Sequence, residues 1–184
     1  FSFAGSEFTT SGLVGSDSVS SVSLTSTGAP AGASVGSYAI SGSGASGSGL
    51  SNYTISYVDG NMDVTPASLL VTANDDSKVY DAAAYSGGNG VTYSGFVNGE
   101  NETVLGGTLG YSGDSQGATT VGSYTITPGG LTSGNYTIGY ANGALDITAA
   151  ALTVTANDQS KVYGDTFSFA GSEFTTSGLV GSDS

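Results

Sequence analysis

The eighteen residues FSFAGSEFTTSGLVGSDS that open the chain at Phe1 return unchanged from Phe167 to Ser184. A match of that length within one polypeptide requires a repeat, and weaker echoes give its period. LLVTANDDSKVYD at 69–81 recurs as LTVTANDQSKVYG at 152–164, SGLVGSDS at 11–18 is answered by SGFVNGEN at 94–101, and SNYTISYVDGNMDVT at 51–65 by GNYTIGYANGALDIT at 134–148. Each pair is 83 residues apart, and the identical ends are 166 apart, twice that step. Only VGSY slips, from 35–38 to 121–124, and a longer Gly/Ser loop at 41–50 restores the register. The repeats divide the chain into 1–66, a module lacking its first segment; 67–149, a complete module; and 150–184, the start of a third that repeats the first. The expectation is a window on a longer tandem array, and the absence of a signal-peptide pattern at Phe1 suits it.

Charge excludes several functions. Fifteen acidic residues face two lysines, with no arginine or histidine, for a net charge of −13. Phosphate-rich partners are bound largely through Lys and Arg, so nucleic acid and anionic membrane surfaces are poor partners. Cysteine is absent, which removes disulfides, thiolate nucleophiles and cysteine-ligated zinc. No run approaches the ~20 apolar residues of a membrane span. A cysteine-free, lysine-poor chain rich in Gly, Ser and Thr suits a large secreted bacterial protein.

The local pattern is that of strands. TVTA, SYTIT, NYTIGY and ALDIT combine β-branched and aromatic residues with a period of two. Nowhere does apolar spacing hold a helical period through three turns. Module 67–149 is expected to carry strands near 69–74, 77–80, 90–94, 104–112, 121–127, 134–140 and 144–149. The Asp59-Gly60 and Asn142-Gly143 steps predict a closing β-hairpin in each module, because such pairs tolerate positive φ. The fold class expected is all-β: antiparallel modules of about 83 residues, β-grasp-like or Ig-like, arranged as an elongated rod or filament.

The order of these motifs carries a resemblance. LTVTANDQSKVYGD at 152–165, then SGLVGSD, VGSY, SNYTI and a closing DVTP at 63–66, resembles the YGX-type MBG domain of bacterial surface adhesins. Module 67–149 reads KVYDA at 78–82 and is similar to the sister YDG type, departing from it where Ala82 replaces glycine. The resemblance implies a small, mostly β module strung in tandem along large secreted adhesins and biofilm-matrix proteins. It implies no enzyme activity, and no catalytic or ligand-binding residue is carried over with it.

Several residues invite a chemical reading and are weighed against a plainer one. Lys78 and Lys161 are the only side-chain cations and occupy matching positions. An intramolecular Lys–Asn isopeptide crosslink is one reading; pairing with a nearby carboxylate such as Asp75 or Asp158, the stem covering apolar surface, is the favoured one. Asp75, Asp76, Asp81, Asp158 and Asp165 gather near the module junctions. Calcium takes oxygen ligands, yet no D-x-D-x-D-G loop is present, so turn formation is preferred and no metal or other cofactor is assigned. Asn52, Asn101 and Asn135 each begin an N-glycosylation sequon but read better as structural residues. Catalysis lacks a histidine to activate serine or threonine, and the Glu100/Glu102 pair sits in a turn with no cleft around it. No catalytic, cofactor or metal residues are therefore assigned. Most of the eleven Tyr and seven Phe fall on inward strand positions and are expected in cores, with sugar stacking the alternative.

The reading that follows is a structural, adhesive segment at the bacterial cell surface or in the extracellular matrix. It would act as a stalk or filament whose partners are neighbouring modules or copies of itself. A carbohydrate-binding array and an amyloid-like fibre, which low charge and high β-propensity also favour, are the alternatives; extracellular polysaccharide would be the partner in the first. Residues 1–66 lack a counterpart of ALTVTANDQSKVYGDT at 151–166. That module should present an unpaired edge to which the tail of another molecule can add.

Overall fold

The computed structural model describes residues 1–184 and is almost wholly β, with two single-turn 3-10 helices. The chain divides into two compact units. One comprises Phe1–Leu69, Ser94–Gly106 and Thr132–Gly139; the other comprises Leu70–Tyr93, Gly107–Leu131 and Tyr140–Ser184.

In the first module, β1 (Ser18–Thr25), β2 (Gly36–Ser48) and β3 (Gly60–Val64) form an antiparallel sheet in the order β1-β2-β3. Module 67–149 holds seven strands close to where alternation places them: β4 (Ala67–Ala73), β5 (Asp76–Val79), β6 (Val91–Ser94), β7 (Gly106–Ser112), β8 (Gly122–Thr132), β9 (Tyr136–Ala141) and β10 (Gly143–Thr148). They make a four-stranded sheet, β5-β10-β8-β7, and a three-stranded sheet, β6-β4-β9. The tail adds an antiparallel pair, β11 (Thr153–Ala156) with β12 (Phe174–Ser177).

Two expectations are corrected. Module 67–149 is not purely antiparallel, since β5 lies parallel to β10 from Leu145↔Asp76 to Thr148↔Val79. The closing hairpin does not form either. Strands β9 and β10 are separated by Asn142 alone, yet they belong to different sheets, and β10 pairs antiparallel with β8. Neither Asn142 nor Gly143 has positive φ, so the primed turn that closes a two-residue hairpin is absent. Gly143 is required for another reason: a Cβ there would sit 2.8 Å from the carbonyl oxygens of Ala73 and Asn74. The glycine lets the chain turn a corner against backbone.

Apolar alternation explains the core. Leu69, Val71 and Ala73 project one way from β4 and are 2%, 0% and 3% exposed. Ala73 joins Ala118, Ile126, Leu145 and Ile147 in a cluster ringed by Tyr80, Tyr85, Tyr111 and Tyr124. Inward packing of aromatics thus holds there, and Tyr136 is buried as well. It fails in the tail, where Tyr163, Phe167, Phe169 and Phe174 are exposed. In 1–66 Val22 alone among apolar side chains is buried, and in 150–184 none is.

Candidate functional site

A groove of about 840 Å³ lies in the first module. One wall is the segment 6–11, the other is 53–60, and Val22, Leu24 and Ile40 lie at its base. Neither wall is a strand, apart from Gly60, where β3 begins. Their counterparts 83 residues on are β6 and β9, the two strands that flank β4. In 67–149 the corresponding place between β6 and β9 is taken by β4.

Its walls are nonetheless held in place. The Tyr53 hydroxyl accepts from the Val14 N–H at 2.8 Å and donates to Asp17 Oδ2 at 2.8 Å. Tyr136, its repeat counterpart, accepts from the Val97 N–H at 3.1 Å and donates to Glu100 Oε2 at 2.6 Å. In each case the hydrogen bond to the carboxylate is the main cause of a tyrosine pKa above its ordinary value. Tyr57 Oη accepts from the Ala45 N–H at 2.9 Å, and Tyr140 Oη accepts from the Leu131 N–H at the same distance. These contacts hold 53–57 by its side chains, so the wall keeps its place without a ladder of backbone bonds. Sequence reasoning did not single out the hydroxyl brackets. Their signal was present in Tyr53/Tyr136, Val14/Val97 and Asp17/Glu100, which all recur at the one offset.

The residues singled out from sequence serve local structure. Lys78 Nζ pairs with Asp81 Oδ1 at 2.6 Å and donates to the Ala83 carbonyl at 2.7 Å. A nearby carboxylate is thus the partner, though it is not Asp75, which accepts from the Ala144 N–H at 2.8 Å. The reason is geometric: Asp75 lies just before β5 and is turned to β10, while Asp81 follows the strand on the lysine's own side. The hydrogen bond from Lys78 is the largest cause of an Asp81 pKa below the carboxylate norm. Lys161 donates to the Asp165 carbonyl at 3.2 Å rather than to Asp158. Asp76 accepts from Tyr85 Oη at 2.8 Å, so Asp75, Asp76 and Asp81 face three different partners and do not converge. Burial first, and this bond to Asp76 second, push the Tyr85 hydroxyl up to about 12. Asn101 caps a 3-10 turn by accepting from the Thr103 N–H at 3.0 Å. Asn135 Oδ1 accepts from the Val35 N–H at 3.0 Å, and Asn52 closes a second 3-10 turn. Glu100 is occupied by Tyr136, while Glu102 lies in the first turn of the helix that Asn101 caps.

Compared with models of protein families, residues 4–63 and 69–146 match the MBG domain of YGX type, the second match running through Ala82. Neither a curated protein nor a solved structure matches the chain.

Proposed function

The chain belongs to the MBG domain family of YGX type, and we propose on that footing that it is a structural, adhesive segment of a large extracellular bacterial protein. It catalyses no reaction. Its task is to space or link, as a stalk or filament, with load carried by modules that unfold one at a time. One observation supports this reading above others: the same tyrosine brackets hold the same segments in both modules, at Tyr53 and Tyr136 and again at Tyr57 and Tyr140. The chain thus uses one bracing device twice, at matching positions.

Single-molecule pulling on 1–184, combined with saccharide titration, tests the reading. Unfolding of 67–149 should appear as a separate event releasing about 300 Å of chain, at ~3.6 Å per residue, with no saturable glycan binding. A single featureless extension would remove the modular stalk. Saturable binding of polysaccharide, lost when the exposed Tyr57 and Tyr140 are changed to Ala, would make the chain a carbohydrate-binding array.

A further inference from the structure

We propose that Asn98 and Asn135 form a joint that stiffens the passage from residues 1–66 to 67–149 by gripping two backbone groups of the loop 26–35. The joint presupposes the modular stalk reading and gives it a contact surface between neighbours. All of these residues belong to the first of the two compact units.

The two side chains reach the loop at separate points. Asn98 Nδ2 donates to the Ala31 carbonyl at 3.0 Å, and Asn135 Oδ1 accepts from the Val35 N–H at 3.0 Å. The partners fix which amide atom each asparagine uses, since a carbonyl needs a donor and an N–H an acceptor. The covalent link is short: β3 ends at Val64 and β4 begins at Ala67, with Thr65 and Pro66 between them. Beside it, the Ala67 N–H donates to the Asn135 carbonyl at 3.0 Å. A chain joined at one point can swivel there, whereas two further ties at separate points oppose rotation. Proline adds stiffness, because its ring fixes φ.

Each face of the joint is braced from within. In the loop, the Gly28 N–H donates to Ser26 Oγ at 3.2 Å, the Ala33 N–H to the Pro30 carbonyl at 3.0 Å, and Tyr38 Oη to the Ser34 carbonyl at 2.7 Å. Opposite it, the turn 97–100 is closed by the Glu100 N–H on the Val97 carbonyl at 3.0 Å and bracketed by Tyr136. Asn98 has a φ of 55°, in the left-handed region, and at the same place in the repeat stand Gly15 and Gly181, with φ of 63° and 62°. The turn demands that conformation in all three copies. Glycine adopts it freely, and asparagine is among the few side chains that tolerate it. The one copy that gives up glycine is the one whose side chain binds a neighbouring carbonyl. The loop is specific as well: counted from VGSY, Gln116 and Gly117 of 67–149 stand where Pro30 and Ala31 stand here. Gln116 is turned instead to the N–H and carbonyl of Gly87 in its own module, at 2.8 Å each. The joint therefore takes a 1–66 module in front of a 67–149 module.

The test uses the full chain, which has no cysteine. Spin labels on Ser41→Cys in β2 and Thr137→Cys in β9, both exposed positions, report the distance distribution across the joint by pulsed electron spin resonance. With both asparagines in place, one narrow distance should appear. Asn98→Asp removes the donor and sets a carboxylate against the Ala31 carbonyl, so the distribution should widen at least about twofold, toward the spread of a free linker. Asn98→Gly, which restores the residue the turn has at its other two copies, should widen it likewise and guards against a misfolded turn. Asn135→Asp keeps an acceptor for the Val35 N–H and should leave the width unchanged, whereas Asn135→Ala should widen it. A broad distribution with both asparagines present overturns the proposal. So does a width that stays narrow in both Asn98 variants, or an Asn135→Asp chain as broad as Asn98→Asp. Separate unfolding of 67–149 under force together with any of these three results leaves the stalk reading standing and removes the joint alone.

Discussion

Residues 1–66 and 67–149 carry the same motifs in the same order, yet one keeps a single sheet and the other has two. The first module retains β1-β2-β3, the counterparts of β7, β8 and β10, and lacks any counterpart of β6-β4-β9 as strands. The segment that forms β4 and β5 in 67–149 has no copy within residues 1–66, and the two strands contribute unequally. Strand β5 is an outer strand, and the counterparts of the other three strands of its sheet still pair. Strand β4 is a central strand, and without one the counterparts of both its neighbours form no ladder. A central strand supplies two edges of backbone partners and most of the apolar surface facing its layer; an outer strand supplies one. Burial follows: Leu69, Val71 and Ala73 of β4 are sealed, while across the groove Ile55 remains 42% exposed.

The sharpest probe of this contrast is one side chain in two settings. Leu69→Ala should cost about 2–5 kcal/mol in denaturant unfolding, as for a buried leucine. Leu152→Ala, the same residue of the repeat on exposed β11, should stay within about 0.5 kcal/mol at concentrations that keep the chain monomeric. Equal losses would break the comparison.

A smaller difference is expected at the brackets. Tyr136→Phe removes a hydroxyl bonded to both Val97 and Glu100 from a buried ring, and about 1 kcal/mol should be lost. Tyr53→Phe should lose less, because its ring is only half-buried and water replaces the bonds. Separate melting transitions for the two modules would read both values, and a larger loss at Tyr53 would mean that the groove wall carries more load than the packed strand.

Ala82 provides a test in the stabilising direction. Its φ of 60° lies in the left-handed region, where a Cβ costs about 1 kcal/mol relative to glycine. Ala82→Gly should therefore raise the melting temperature of 67–149 and leave 1–66, which has no counterpart position, unchanged. A fall would show that the lost side chain packs better than its backbone strains.

The weakest effect near neutrality is alkaline. The Tyr85 hydroxyl is raised from 10 to about 12 in the folded chain, so the folded state holds that proton more tightly than the unfolded one. Its stabilisation is complete below pH ~10 and is lost as pH rises toward 12. Tyr85→Phe should flatten that part of the stability profile for 67–149. A profile that still falls equally between pH ~10 and ~12 would assign the effect to other tyrosines.

Much of this was legible in the letters. Alternation located all seven strands of 67–149, because a period of two registers burial on one face. The MBG domain matches twice, at 4–63 and 69–146. Which strands pair was less legible. Asn142-Gly143 predicts a hairpin, but turn chemistry is local, whereas β9 is claimed by β4 and β10 by β8 and β5. The groove was half legible: the repeat shows that 1–66 contains no copy of β4, but not that Tyr53 and Tyr57 hold the wall beside it in position.

The identical ends separate the two kinds of information. In both, the paired phenylalanines meet edge to face at 5.1 and 5.0 Å. Glu7 Oε1 accepts from the Ala4 N–H at 2.9 Å, and Glu173 Oε1 from the Ala170 N–H at 2.8 Å. Asp17 and Asp183 donate their N–H groups to the carbonyls of Val14 and Val180. Those features depend on partners within three residues, so the eighteen letters suffice to determine them. The segment FTTS differs: it is strand β12 at 174–177 and irregular at 8–11. Its backbone donors and acceptors need an extended partner, which β11 supplies at one end and nothing supplies at the other. The sequence determined the turns because their hydrogen bonds close within themselves; only the tertiary structure decided the strand, because half of every ladder belongs to another part of the chain.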